Sequence, residues 1–165
     1  MVPDVDILVS RAKELARRND PDNAMDLAND LIERYPKEAK VWSLRGYMHG
    51  RLGNHSGAVS DLTRAIEIND NDPYLFFSRG ADRFELGDDQ LAVDDFTRAL
   101  DLCDSQQRQD YAETLLFWRA EAWLRLGNAQ RALSDLTGVR DGFSFWTYKL
   151  RTKADLLADC EHLIR

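Results

Sequence analysis

Residues Trp42–Asp70 read WSLRGYMHGRLGNHSGAVSDLTRAIEIND, and residues Phe76–Asp104 read FFSRGADRFELGDDQLAVDDFTRALDLCD. The two stretches align at a constant offset of 34 residues: Gly46 with Gly80, Leu52-Gly53 with Leu86-Gly87, Ala58 with Ala92, Leu62 with Phe96, and Ala65 with Ala99. A fixed period of this length marks stacked supersecondary units, none of which can bury its apolar face alone.

Within one period, apolar or small residues recur at three- and four-residue spacing, first at Val41, Leu44, Met48 and Leu52, then at Ala58, Leu62, Ala65 and Ile66. This is the spacing of two amphipathic helices. Gly53-Asn54 between them supplies a stop and then a cap. Asp72-Pro73 opens the next unit with an N-cap and a proline at the first helical position, and Asp20-Pro21 repeats the device earlier. Gly46 and Ala58 lack bulk, so two antiparallel helices can approach closely, with Trp42 and Leu62 filling the space beside that contact.

Two weaker copies flank this pair. Upstream, Ala12, Ala24 and Leu31 stand 34 residues before Gly46, Ala58 and Ala65; downstream, Leu126-Gly127, Ala132 and Leu136 match at an offset of 40. The reading is one all-α domain over 1–165, with helix-turn-helix units at about 5–38, 39–72, 73–106 and 113–140. Six extra residues lie within CDSQQRQDYAET. With no glycine or proline to interrupt them, they are expected to lengthen the following helix by about 9 Å. After Asp141-Gly142, the segment FSFWTYK leads into a terminal amphipathic helix, giving a cap over 143–165 with Leu150, Leu157, Cys160 and Ile164 on its apolar line.

The pattern resembles the tetratricopeptide repeat, whose signature joins an aromatic, a Leu-Gly and a Tyr to a later Ala, Phe and Pro. The second unit gives Trp42, Arg45-Gly46, His49, Ala58 and Leu62; the third Phe76, Arg79-Gly80, Arg83, Ala92 and Phe96. The fourth gives Leu116, Arg119-Ala120, Trp123, Ala132 and Leu136, and the first Leu8, Arg11-Ala12, Leu15, Ala24 and Ala28. The resemblance implies a right-handed solenoid. Where the signature has leucine before glycine, all four units carry arginine: Arg11, Arg45, Arg79 and Arg119. Three second helices carry an acid, Asp61, Asp95 or Asp135, so a ladder of Arg–Asp contacts between helices is expected.

Chemistry-bearing patterns are missing. His49 occupies an aromatic repeat position, His55 a turn and His162 the chain end, and no HExxH, Walker loop or Gly-rich strand-to-helix turn occurs. No catalytic residue, metal or cofactor is expected. Cys103 and Cys160 are too few for a disulfide framework, and the N-terminus has no secretory or transit character, so the reading is cytoplasmic. No apolar run is long enough to span a bilayer. The net charge of −7 is concentrated in 67–104, where eleven acids face three bases; such a field repels phosphate backbones, so nucleic acid is not expected as a partner.

Binding remains. In proteins that resemble this family, the first helices of successive units line a concave groove that holds a peptide or helix. The repeat phase then assigns Lys13 and Arg17, Lys40, Tyr47 and Arg51, Tyr74, Phe77 and Phe84, and Phe117, Trp118, Leu124 and Arg125 to that surface. Aromatics with basic flanks suit a protein segment, so the leading reading is a non-catalytic adaptor or scaffold, with Phe77→Ser/Phe84→Ser expected to abolish binding and spare helicity. The alternatives are a dedicated inhibitor or escort of one client, as an immunity protein or secretion chaperone is, and a self-assembling unit whose groove holds a second copy. Coverage of the stripe by FSFWTYK or the last helix is the competing arrangement. Some family members hold acidic chaperone tails with a lysine–asparagine–arginine clamp; the comparable positions here are Val9, Lys13, Leu44, Tyr74 and Ser78, and only Lys13 survives.

Overall fold

The computed structural model describes residues 4–18, 20–108, 111–146 and 150–165. Among them the chain is all-α apart from one small hairpin. Four helix pairs follow in order: α1 (Val5–Arg17) with α2 (Pro21–Arg34), α3 (Ala39–Arg51) with α4 (His55–Ile68), α5 (Pro73–Leu86) with α6 (Asp89–Ser105), and α7 (Ala112–Arg125) with α8 (Ala129–Leu136). Strands β1 (Ser144–Trp146) and β2 (Leu150–Thr152) pair antiparallel, Phe145 opposite Arg151, and α9 (Lys153–Ile164) closes the chain. The chain divides into two compact units, Met1–Asp82 and Arg83–Arg165.

Helix ends form where the sequence stops and caps them. Gly53, Gly87 and Gly127 have φ of +76°, +83° and +73°, a region that residues with a Cβ avoid. The amide after each then donates back to the helix: Asn54 N to His49 O at 2.9 Å, Asp88 N to Arg83 O at 2.9 Å, and Asn128 N to Trp123 O at 2.8 Å. Asn54 and Asn128 next cap the following helix, accepting from Gly57 N and Arg131 N. Asp72 accepts from Tyr74 N at 3.0 Å, whereas the Asp20 carboxylate is taken by Asn23 Nδ2 at 2.8 and 3.0 Å.

The close approach at Gly46 is real: a Cβ there would lie 3.0 Å from Leu62 Cγ and 3.4 Å from the Ala58 carbonyl. Ala58, Leu62, Ala65 and Leu75 are buried together, with Trp42 packed against them and its indole donating to Pro36 O at 2.9 Å. In the second unit, Phe117, Leu136, Val139, Phe143, Leu156 and Cys160 form the core, so α9 and the segment before it close the helix pairs above. Burial of each such large side chain contributes ~1.5–3 kcal/mol.

Two of the expected arginine rungs form, with a second set beside them. Arg45 is bidentate on Asp61 at 2.7 and 2.7 Å, and Arg119 on Asp135 at 2.8 and 2.6 Å, each within its own helix pair. A guanidinium nitrogen also reaches back to the preceding pair: Arg45 to Asn29 at 3.1 Å, Arg79 to Thr63 at 3.2 Å, and Arg119 to Thr97 at 3.0 Å. These acceptors stand two residues beyond the repeat position of the acid. Asp61 and Asp135 are nearly buried, and their planar forks set helix register. Asp95 takes Arg83 at 2.8 Å. Arg11 is exposed, and Leu27 stands where its acid would be.

Two expectations are corrected. The six-residue insertion does not lengthen α7, which has the 14 residues of α5; it extends α6 to 17 residues and adds a loop. Gln107, at φ +56°, stops α6, with Arg108 N donating to Cys103 O at 2.8 Å. The closing helix starts at Lys153 rather than near 143, because Thr152 and Asp155 form a capping box and the residues before them pair as strands.

Candidate functional site

The expected groove residues separate into those that stay at the surface and those that the core takes. In the first unit, α1, α3 and α5 bring their first-helix faces together around Tyr47. A pocket of about 250 Å³ is lined by Lys13, Arg17, Tyr47 and Tyr74. On the other side of Tyr47, a pocket of about 180 Å³ is lined by Tyr47, Arg51 and Phe77 with Ser43, Gly50, Leu62, Ser78, Ala81 and Asp82. Arg51 is held by neutral groups: its guanidinium donates to the Tyr47 hydroxyl at 3.3 Å and stands 5.8 Å from that ring's centroid. Arg17 pairs with Glu14 at 3.0 Å on the exposed side of α1, and the contacts of Arg18 and Arg17 hold the Glu14 carboxyl below its usual range.

Lys40 does not join them. Its ammonium sits 2.7 Å from Asp6, a hydrogen bond that raises its pKa, and ties α3 to α1 instead. Asp82, which the sequence reading did not select, also lines the second pocket, 2.8 Å from His55 Nδ1. A signal for it existed: it stands 34 residues after Met48, a buried core position, so a carboxylate there needed a partner.

In the second unit the aromatic stripe is core. Phe84 and Phe117 have no exposed surface and Trp118 is 5% exposed. Trp118 meets Phe84 edge-on at 5.3 Å, and the segment after α8 covers the rest: Phe143 lies 5.3 Å from Phe117, and Phe145 lies 5.8 Å from Trp118. The assignment of these three to an open groove is therefore wrong. The reason is physical: a helix inside a stack is covered on two faces, and here the hairpin supplies the second cover. Arg125 is also engaged, its guanidinium 3.3 Å from the Phe84 ring centroid, donating to Phe84 O at 2.6 Å and lying 3.3 Å from Asp89. With Leu124 it lines a pocket of about 350 Å³ that also holds Glu121, Arg151, Asp159, His162 and Leu163. Arg151 is delivered there by β2 and lies 3.5 Å from the buried Glu121. Hairpin formation was not visible in the sequence reading, so these partners were missed.

Among the described residues, no cluster of three His, Cys, Asp or Glu is placed to hold a metal ion, and no helix is long and apolar enough to cross a membrane. Burial pushes the Cys160 thiol up, the reverse of what a nucleophile requires. Val9 and Leu44, two of the positions comparable to the chaperone-tail clamp, are buried apolar side chains.

Comparison with known proteins agrees with this architecture. Residues 9–74 match a family model described as tetratricopeptide repeat. A cow protein called Protein SGT1 homolog is 33% identical over 61 residues, a stretch that is 37% of this chain and 18% of that protein. A thermophilic repeat protein of the same kind from Thermus thermophilus superposes with a TM-score of 0.67 at 19% identity, over 98% of this chain and 81% of its own. The TPR2B domain of yeast Sti1, solved in complex with pHsp70, gives 0.65 at 19% identity, over 70% of this chain and 96% of its own.

Proposed function

We propose that the chain, which matches the tetratricopeptide-repeat model over residues 9–74 and shares the fold of a solved repeat protein, is a non-catalytic protein–protein interaction module, an adaptor that holds a segment of a partner against the first-helix faces of its first unit. The observation that carries this reading is the pair of pockets on either side of Tyr47, where Lys13, Arg17, Tyr74, Arg51 and Phe77 converge from three helices. Aromatic rings beside arginines supply the large, low-entropy contacts that dominate protein interfaces. Main-chain groups of a peptide or one face of a helix then fill the trough between helices. The complex of the Sti1 domain with pHsp70 supports the general mode. The burial of Val9 and Leu44 argues against the same chain-end clamp here.

The test is capture of partners from native lysate by the tagged protein beside its Tyr47→Ala/Phe77→Ser variant. Both positions are only half-buried, so the variant keeps its helical circular dichroism. Loss of a specific protein from the variant's capture supports the groove; identical captures overturn it. Phe84→Ser is not used, because Phe84 is core.

A further inference from the structure

We infer that the first-unit groove takes an acidic segment from within a partner's chain, with side-chain carboxylates between Lys13 and Arg51 and an apolar neighbour on Phe77. This rests on the interaction-module reading and narrows it to one chemistry. The chain is acidic, with a net charge of −7, and most of the first unit's cations are already neutralised. Arg45 lies on Asp61, Lys40 on Asp6, Arg34 on Asp30, Arg64 on Glu67, and Arg17 and Arg18 on Glu14. Lys13 and Arg51, like Arg11 and Lys37, have no carboxylate partner among the described residues, and of these four it is Lys13 and Arg51 that flank Tyr47, one in each pocket. Arg51 is oriented by the Tyr47 hydroxyl and ring, which position its charge without cancelling it.

The α4–α5 side of the groove has the opposite character. Leu62, Phe77 and Ala81 give an apolar floor, and Asp82 beside His55 repels a carboxylate there. The occupant therefore runs with its acid toward Lys13 and Arg51 and its apolar residue toward Ala81. A side-chain carboxylate is the fitting group rather than a chain end, since the positions comparable to a chain-end clamp are apolar at Val9 and Leu44. A phosphate backbone needs a run of cations to hold it, and an isolated pair beside Asp82 does not supply one.

The experiment is fluorescence anisotropy with a short labelled peptide of adjacent glutamates beside a leucine, acetylated and amidated at its ends. Saturable binding that weakens with salt is expected. Replacing its glutamates by glutamines, or the protein by Lys13→Gln/Arg51→Gln, should each weaken binding about tenfold, as expected for two partly exposed charge pairs. Both residues are exposed, so circular dichroism stays unchanged. The inference is overturned if the glutamine peptide binds equally well, if neither peptide binds, or if a single-stranded oligonucleotide displaces the acidic peptide as well as unlabelled peptide does. Failure here with a lysate partner still lost from Tyr47→Ala/Phe77→Ser leaves the module reading standing; failure of both removes the groove.

Discussion

Phe77 and Phe84 sit seven residues apart on one helix and have different fates. Phe77 stays half-exposed above Leu62 and Ala81, while Phe84 is enclosed by Trp118 and capped by Arg125. A serine at Phe84 leaves a cavity and strands a guanidinium over it, so Phe84→Ser should destabilise the fold by ~3–5 kcal/mol. Phe77→Ser should lower stability by about 1 kcal/mol or less, because a half-buried side chain loses only part of its transfer energy. Urea unfolding of the two variants checks this, and similar midpoints would contradict the burial difference. The sequence stripe Tyr74, Phe77, Ala81 and Phe84 does not distinguish these cases. Helical spacing reports which residues share a face, but which part of that face is covered depends on Trp118, which arrives from a later helix pair.

At the scale of elements, the period was far more informative. Three of the four helix pairs end their first member with the same device, a glycine at positive φ followed by the N-cap residue of the next helix, because each pair must reverse direction in the same space. Turns and pairing were therefore legible from Gly53-Asn54, Gly87-Asp88 and Gly127-Asn128. The Arg–Asp rungs were legible too, but their second acceptors, Asn29, Thr63 and Thr97, were not sought, although they obey the same period. The insertion was misassigned because polar residues without glycine look helical; Gln107 ends α6 by adopting positive φ itself. Two glycine substitutions separate the forces involved. A Cβ at Gly53 meets nothing within 4 Å, so Gly53→Ala should lose ~1 kcal/mol from backbone strain alone, and Gly53→Asn should recover much of it. At Gly46 the added methyl would press on Leu62, so Gly46→Ala should lose ~1–3 kcal/mol from overpacking and asparagine should not help. Thermal melts of the four variants decide whether strain and packing act at separate glycines.

At the scale of the molecule, the closing segment decides which aromatics of the second unit stay at the surface. Repeats bury one another, so the last repeat requires a cover of its own. Here that cover has two parts. The hairpin segment lays Phe143 and Phe145 on Phe117 and Trp118, and α9 places Leu156 and Cys160, both fully buried, in the same core as Leu136 and Val139. The cover removes aromatics from the surface in the second unit, and the open pockets around Tyr47 remain in the first. Of the segment FSFWTYK, residues 147–149 lie outside the described residues, while Phe143 and Phe145 pack into the second unit's core. Leu156→Ala tests this. It should destabilise by ~2–5 kcal/mol, since a fully buried leucine at the closing contact is lost. It should also raise tryptophan accessibility to acrylamide quenching in the folded protein, because Trp118 depends on the same cover. Binding of a partner at the Tyr47 groove should survive at temperatures below the variant's melting point. A variant that melts normally would show that α9 lies on the core without closing it, and loss of binding without unfolding would place part of the partner's site on the closing segment.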